Sequence, residues 1–155
     1  MIQRIQSVYL LLTFLLSVLF LSGDFFSFIN PEGTEIILKF NGLWRSADAG
    51  RSVITGNHYF LTVIIVLIAL LSAADIFLYG KRRLQIMGAK ILIVLAAASV
   101  VLTVYYLVQI PALYEVTPVP GIRIIIPPLI LILCLLAHRG IRKDEELVRS
   151  YDRIR

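Results

Sequence analysis

Residues 59–79 read YFLTVIIVLIALLSAADIFLY, an apolar run with one charged side chain, Asp75, and with Lys81, Arg82 and Arg83 shortly after it. A helix needs about 20 apolar residues to cross the hydrocarbon layer of a membrane, and basic residues collect at the cytosolic ends of such helices. The run therefore predicts a membrane-spanning helix whose carboxyl end lies in the cytosol.

Three more apolar runs, at about residues 5–21, 86–108 and 122–139, flank this one in a chain of 155 residues with a mean hydropathy of +0.87. Four spans take up about half of the chain, which leaves no room for a separate soluble catalytic domain. The sequence predicts an all-α membrane protein, a single four-helix transmembrane bundle. Pro127 and Pro128 are expected to kink or delay the fourth helix.

The longest polar segment, residues 23–57, connects the first and second spans. Within it, GTEIILKFNGLWRS at 33–46 predicts a small β element, a strand or hairpin, whereas SADAGRSVITGN at 46–57 predicts a loop. The tail, residues 140–155, is highly charged, and its apolar positions recur at helical spacing. This pattern predicts a short amphipathic helix in the cytosol or at the membrane surface.

The distribution of basic residues sets the expected orientation. Eleven of the 15 Lys and Arg residues lie near the two termini or in the loop between the second and third spans, and four lie on the other side. Because positively charged loops are retained in the cytoplasm, both termini should be cytosolic. Residues 23–57 should then lie outside, and the expected location is a bacterial inner (cytoplasmic) membrane.

The first run, residues 5–21, also has the basic start and apolar stretch of a secretory signal peptide, with a cleavage site near Leu21. Its length exceeds that of the usual signal sequence. Gln6, Thr13 and Ser17 also recur at helical spacing, as expected for a helix that faces other helices. We therefore expect a retained span.

Asp75 is the one acidic residue within an apolar span, and a carboxylate at membrane depth is a candidate functional residue. Because Lys81 follows about 9 Å further along the helix, one interpretation is a structural ion pair or a carboxylate that reaches the cytosolic interface. The other interpretation is a proton or cation site.

Several chemistries are not expected. His58 lies at the outer end of the second span and His138 at the inner end of the fourth, so one subunit cannot hold a metal or haem between them. A single cysteine, Cys134, cannot supply the paired thiols of four-span quinone-linked enzymes. No Walker, GxSxG, HExxH or CxxC motif is present. The basic residues flank apolar runs and do not form a solvated face with aromatics between them, as in nucleic-acid binders. We expect no enzymatic activity, no cofactor, no metal and no nucleic-acid partner.

A set of basic residues, here called the basic collar, flanks the cytosolic ends of the second and fourth spans. Its members are Lys81, Arg82, Arg83, Arg139, Arg142 and Lys143. Each contributes about 1 kcal/mol of attraction next to anionic headgroups. The collar is therefore expected to contact the lipid bilayer, and recognition of a protein partner by the tail is the alternative.

The segments MIQRIQ at 1–6, KRRLQ at 81–85 and KDEELVRSYDRIR at 143–155 resemble a family of small four-span proteins of Bacteroidota, a domain of unknown function. The resemblance implies an inner-membrane location and supplies no catalytic or ligand residues. A weaker architectural likeness rests on GLW at 42–44, which is similar to claudin-like four-span proteins in its place in a long outer loop. That likeness implies helices with a small sheet above them, although the paired loop cysteines of claudins are absent.

The expected function is that of a non-enzymatic accessory or interaction subunit of a membrane complex. It would dock a protein partner through the outer loop, with Trp44 as the candidate docking residue, or through the tail. The alternative is a small homo-oligomeric channel or transporter in which Asp75 and the proline-broken fourth helix line a path. A third possibility, a lipid-acting enzyme, has no set of residues behind it.

Overall fold

The computed structural model describes residues 5–29, 35–39, 42–47, 50–54, 59–78, 82–119 and 121–152, which form helices and one sheet. The helices are α1 (Ile5–Leu21), α2 (Tyr59–Phe77), α3 (Arg82–Tyr114) and α4 (Ile126–Asp152). The strands are β1 (Phe26–Ile29), β2 (Glu35–Lys39), β3 (Gly42–Ala47), β4 (Gly50–Ile54) and β5 (Thr117–Val119).

The four helices pack side by side around a common core. Helix α1 contacts α2 and α4, and α3 contacts the same two helices, so that the four form a closed ring. Each helix supplies large side chains that are fully buried, among them Leu10, Ile65, Leu92 and Ile130.

The bundle core contains buried hydroxyl groups among its apolar side chains, and the outward helix faces are also largely apolar. Buried hydroxyls on the inner helix faces each donate to a carbonyl three or four residues earlier in the same helix; these are Thr13, Ser17, Ser72, Ser99 and Thr103, at 2.7–3.0 Å. The outward faces carry exposed Leu, Val and Ile side chains along all four helices. Small and hydroxyl residues at helix contacts with apolar residues outside are the arrangement of helices packed in lipid.

Three helical stretches are long and apolar enough to cross a membrane: Tyr59–Phe77, Leu84–Tyr114 and Ile122–Glu145. The fourth apolar helix, Ile5–Leu21, has 17 residues and a length of about 26 Å at 1.5 Å per residue. This is slightly less than the roughly 30 Å of a bilayer's hydrocarbon layer.

Helix α3 is longer than the run predicted at 86–108. It begins at Arg82 and continues through Pro111 to Tyr114. Pro111 lies in the last turn, where the missing proline N–H removes one hydrogen bond of the helix and the chain leaves the helix three residues later. The expectation that the helix ends before this proline was therefore wrong.

The fourth helix is not broken by its prolines, as the transport alternative assumed. A 3₁₀ turn at Ile122–Ile125 precedes α4, and Pro127 and Pro128 occupy the first turn of α4, where a helix needs no N–H donors. The prolines therefore delay the helix and do not interrupt it. The tail predicted as a separate helix is the continuation of α4, which runs unbroken to Asp152.

The strands form one antiparallel sheet in the order β4-β3-β2-β1-β5. The first four form a meander, and β5 joins it from the α3–α4 connection by pairing with β1. Phe26 pairs with Leu38, and Leu38 with Leu43, so these three buried side chains share the face that packs against the helix ends. Phe20 of α1 stacks on Phe25 at a centroid distance of 4.5 Å and joins this cluster.

The sheet is larger than the strand or hairpin that the sequence predicted. The loop predicted at 46–57 contains the end of β3 and all of β4, and the strands β1 and β5 were not predicted. Strands of three to five residues have little periodicity of their own, and β5 exists through its pairing with β1.

Candidate functional site

The two ends of the bundle differ in character. At one end, here called the polar end, the start of α1, the end of α2, the start of α3 and residues 137–141 of α4 lie together. Gly140 is close enough to α1 that a Cβ on it would lie 3.3 Å from Cβ of Gln6. The Gln85 side chain donates a 3.2 Å hydrogen bond to the Asp75 backbone carbonyl across the α2–α3 connection. The sheet occupies the opposite end.

Asp75 is the central residue of the polar end. It lies in the last turn of α2, only 3% exposed, and among the described residues its Oδ2 has no hydrogen-bond partner. Its carboxylate packs directly on Gly88 of α3, where any Cβ would overlap it. Gly88 therefore provides the space that the carboxylate fills, and it is a site residue that sequence reasoning missed. The sequence offered only one indication of this role, a glycine within an apolar run, and its position against Asp75 comes from the packing of α3 on α2.

The neighbouring helix α3 extends this polar site. Gln85 is almost fully buried, and its side-chain amide donates to the Asp75 backbone carbonyl. Helices α2 and α3 therefore both contribute polar groups next to one carboxyl group.

This arrangement limits what Asp75 can do. A buried carboxylate is costly without a partner, and the end of α2 is the negative end of its helix dipole. The site therefore favours a neutralised carboxyl group, with a bound proton or a cation. Within the described residues no group of three His, Cys, Asp or Glu side chains is arranged to hold a metal ion.

The predicted ion pair of Asp75 with the collar stays a prediction. Lys81 lies outside the described residues, and the side chains of Arg82 and Arg83 are not described although both begin α3. The other members of the basic collar, Arg139, Arg142 and Lys143, are exposed on α4 at the polar end.

Of the two histidines, His58 lies outside the described residues. His138 is half-buried on α4 at the polar end, and its Nδ1 has no partner among the described residues. Arg142 follows four residues later on α4 and therefore shares the helix face of His138.

Trp44, the predicted docking residue, lies on β3 at the sheet end. It pairs with Ile37 of β2, and Ile37 with Ser27 of β1, which in turn pairs with Val119 of β5. These four partly exposed residues share the face opposite to the buried Phe26 row, because side chains alternate along a strand. We call this row the open face of the sheet.

Two contacts fix the sheet end on the helices. Arg123, at the start of the fourth helical segment, donates from Nη1 to the Asp24 carbonyl at 2.9 Å, and its guanidinium packs on Gly23. The Asp24 carboxylate forms a 3.0 Å salt bridge with Lys39 of β2. A single basic residue between two apolar runs gave no indication of this bracing role.

A shallow aromatic groove of about 320 Å³ lies between the start of α2 and the last turns of α3. It is lined by Phe60, Tyr105, Tyr106, Gln109, Leu113 and neighbouring residues. The groove therefore lies towards the sheet end of the bundle.

These features define the class: a helical protein with three apolar helices of membrane-spanning length, a few buried polar side chains in its core and a small antiparallel sheet at one end. The chain belongs to the family described as "Domain of unknown function (DUF4293)", whose model matches residues 2–154. No curated protein and no solved structure matches the chain. The predicted membership of a family of unknown function is thus confirmed, while its restriction to Bacteroidota and the likeness to claudins stay predictions.

Proposed function

We propose that the protein is a non-enzymatic integral protein of the bacterial inner membrane that crosses it four times and serves as an accessory subunit of a membrane complex. The observation that carries the embedding is the apolar outer surface, since exposed large hydrophobic side chains occur on every helix while the hydroxyls of Thr13, Ser72 and Ser99 are buried. Helix α1 is part of the closed ring, so it would share the membrane with the three longer helices.

The proposed orientation places the polar end and both termini in the cytosol and the sheet outside. The support is the excess of basic residues at the polar end. The test uses single cysteines introduced at exposed positions, Glu35→Cys on β2 and Lys143→Cys on α4, since the native Cys134 is buried. A membrane-impermeant thiol reagent should label residue 35 in intact spheroplasts and residue 143 only after permeabilisation. The reverse pattern would invert the topology.

The proposed docking surface is the open face of the sheet. One face of the sheet already packs on the helices, whereas the other carries the partly exposed pair of Ile37 and Trp44 away from the bundle. Aromatic and aliphatic anchors of this kind dominate the binding energy of protein interfaces. The partner would be an extracytoplasmic segment of another membrane protein.

The test is purification of the tagged full-length protein from its native membrane in mild detergent, with the intact particle weighed by native mass spectrometry. A partner present in stoichiometric amount should be lost in Trp44→Ala. Arg45→Ala is the matched control, because Arg45 is the next residue on β3 and is exposed on the other face of the sheet. Recovery of the protein alone, at the mass of one chain, would reject the accessory-subunit function.

A homo-oligomeric channel or transporter is the second candidate, and one observation favours it: the almost fully buried Asp75 carboxylate, one oxygen of which has no hydrogen-bond partner among the described residues. The fourth helix no longer supports it, since its prolines lie in the first turn of α4 and do not interrupt the helix. Asp75→Asn in liposomes decides this candidate. Loss of proton or cation flux with an unchanged particle mass would favour transport, and no flux in the wild-type protein would remove it.

A further inference from the structure

The two edges of the sheet differ in how they are protected from further pairing. Strand β5 forms one edge; it has three residues, and the central one is Pro118. Short strands and prolines at an edge prevent another strand from joining it. Strand β4, Gly50–Ile54, forms the other edge and has five residues and no proline. Within the described part of the chain no strand pairs with its outer side, which we call the β4 edge.

The strand register indicates which backbone groups of β4 face this edge. Strand β3 ends at Ala47 and β4 begins at Gly50, and these two residues are paired. The pair that closes a two-residue β-hairpin is hydrogen-bonded, and such pairs alternate along an antiparallel ladder. Every second residue of β4, beginning with Gly50, therefore bonds to β3. The residues between them, Arg51 and Val53, direct their N–H and C=O groups to the β4 edge.

The sheet lies across the end of the bundle. Its buried face packs on the helix ends, so the perpendicular to the sheet runs roughly along the bundle. Strand β1 begins five positions after α1 ends, and α2 begins five positions after β4 ends, so both sides of the sheet are tied to the helices. With the bundle embedded in a membrane, the perpendicular to the sheet is close to the membrane normal.

A second copy of this chain fits the β4 edge under these constraints. Two identical strands that pair antiparallel are related by a two-fold axis perpendicular to their sheet. Because this axis is close to the membrane normal, the pairing leaves both bundles on the same side of the joined sheet. Both copies then cross one membrane in the same orientation, as copies of one membrane protein must.

The dimensions also allow this pairing. Neighbouring strands are about 4.8 Å apart, so two five-stranded sheets joined at one edge have centres about 24 Å apart. A four-helix bundle is about 20 Å wide, since helix axes lie about 8–10 Å apart and each helix is about 10–12 Å thick. Two bundles centred under their sheets therefore fit side by side without overlap.

We propose that β4 pairs antiparallel with β4 of a second copy, which joins the two sheets into one and makes the protein a homodimer. The register that places Ser52 opposite its own copy pairs every edge-facing residue, since Arg51 of each copy then meets Val53 of the other. A shift by two positions in either direction pairs fewer of them, and one such shift places Arg51 opposite Arg51, where like charges repel. The pairing leaves the open face of the sheet uncovered. It rests on the proposed membrane embedding and goes beyond the proposed docking function.

The test is disulfide cross-linking of the full-length protein in its native membrane with a mild oxidant. In the proposed register the two Ser52 positions form a non-hydrogen-bonded pair with Cα atoms about 4.5 Å apart, which a disulfide can bridge. Ser52→Cys should therefore give a covalent dimer at twice the 17.5 kDa of one chain. The native Cys134 is buried and should not contribute.

Arg45→Cys is the matched control, because Arg45 is exposed and pairs with Ser52 from the inner neighbour β3. Across the dimer two such positions would be about 14 Å apart, twice the roughly 7 Å limit between Cα atoms for a disulfide. The oxidant should therefore give no dimer band in this variant.

A second variant tests the hydrogen bonds between the copies. Val53→Pro, made in the Ser52→Cys background, removes an N–H group that faces the β4 edge and leaves the bonds between β4 and β3 in place. The covalent dimer should be lost. Native mass spectrometry of Val53→Pro alone, in mild detergent, should show one chain where the wild-type protein shows two, and circular dichroism checks that the variant is folded.

The outcomes separate this inference from the proposed function. No dimer band in Ser52→Cys, or equal bands in Ser52→Cys and Arg45→Cys, overturns the β4 pairing and leaves the membrane embedding and the Trp44-dependent partner intact. A cross-link that survives Val53→Pro in a folded protein also overturns it, because the backbone bonds at the β4 edge would then not join the copies. Recovery of the chain outside the membrane fraction would instead contradict the embedding, and the dimer geometry with it.

Discussion

The close contact between Gly88 and Asp75 makes a quantitative prediction. In Gly88→Ala the new Cβ would lie 2.6 Å from Oδ2 and 2.7 Å from Cγ of Asp75, and nearer still to Oδ1. The carboxylate is buried and cannot swing into solvent. Overpacking of this kind costs about 1–3 kcal/mol, and the higher helix propensity of alanine offsets up to about 1 kcal/mol. We expect a net loss of about 1–2 kcal/mol in the free energy of unfolding.

The assay is a double-mutant cycle. Unfolding of the protein in mixed detergent micelles is followed by circular dichroism for Gly88→Ala, Asp75→Ala and the double variant. Because Asp75→Ala removes the overlapping atoms, the double variant should recover the loss, with a coupling free energy of about 1–3 kcal/mol. Gly121→Ala is the matched control, since a Cβ there meets no atom within 4 Å, and it should change stability by less than about 0.5 kcal/mol.

A Gly88→Ala variant as stable as the Gly121→Ala control, with zero coupling to Asp75, would refute this reasoning. The carboxylate would then not pack on α3. Asp75 would then not be held inside the bundle, and the transport candidate would lose its support.

Three further predictions concern the sheet end and are measured by the same unfolding assay. Gly23→Ala should cost about 1 kcal/mol, less than Gly88→Ala, because it displaces the far end of the flexible Arg123 side chain and with it one partly buried hydrogen bond to Asp24; a cost equal to that of Gly88→Ala would contradict this. Glu115→Gly should stabilise by about 1 kcal/mol, since Glu115 ends α3 with φ of 52°, a conformation that suits glycine; destabilisation would contradict this. Lys39→Met should cost at most about 1 kcal/mol, and added salt should reduce the difference, because the bridge to Asp24 is partly exposed; a larger, salt-independent cost would contradict a surface ion pair.

The helices were predictable because an apolar run of about 20 residues is typical of one membrane-spanning helix. Helix α1 has the bounds of the first apolar run, 5–21, and α2 begins at the predicted Tyr59. The ends of α3 and α4 were not predictable from hydropathy, because both helices extend beyond the apolar stretch into polar sequence that is equally compatible with a helix or a loop.

The sheet was predictable only in part because its order comes from tertiary contacts. The β-branched residues of 35–39 between turn formers predicted a strand, but β5 is three residues with a central proline and is placed by pairing with β1, almost 90 positions earlier. Proline is confined to sheet edges, and β5 is an edge strand. The local sequence carries none of this information.

The candidate site shows the same limit. An acid within a span identified Asp75, but a one-dimensional pattern cannot show that Gly88 of α3 makes room for its carboxylate or that Gln85 donates to its backbone carbonyl.

The structure separates the two candidate functions in space. From the sequence, Asp75 and the prolines of the fourth helix were expected to line one transport path. In the structure the prolines lie at the sheet end of α4, whereas Asp75 lies at the polar end of α2. From Tyr59 to Asp75 the helix rises by about 24 Å, so the open face of the sheet and the buried carboxylate share no contacts. Effects of changes that far apart are expected to be independent. A docking function can therefore be lost through Trp44 while Asp75 stays intact, and a single phenotype that depended on both would require the whole bundle to move as the coupling element.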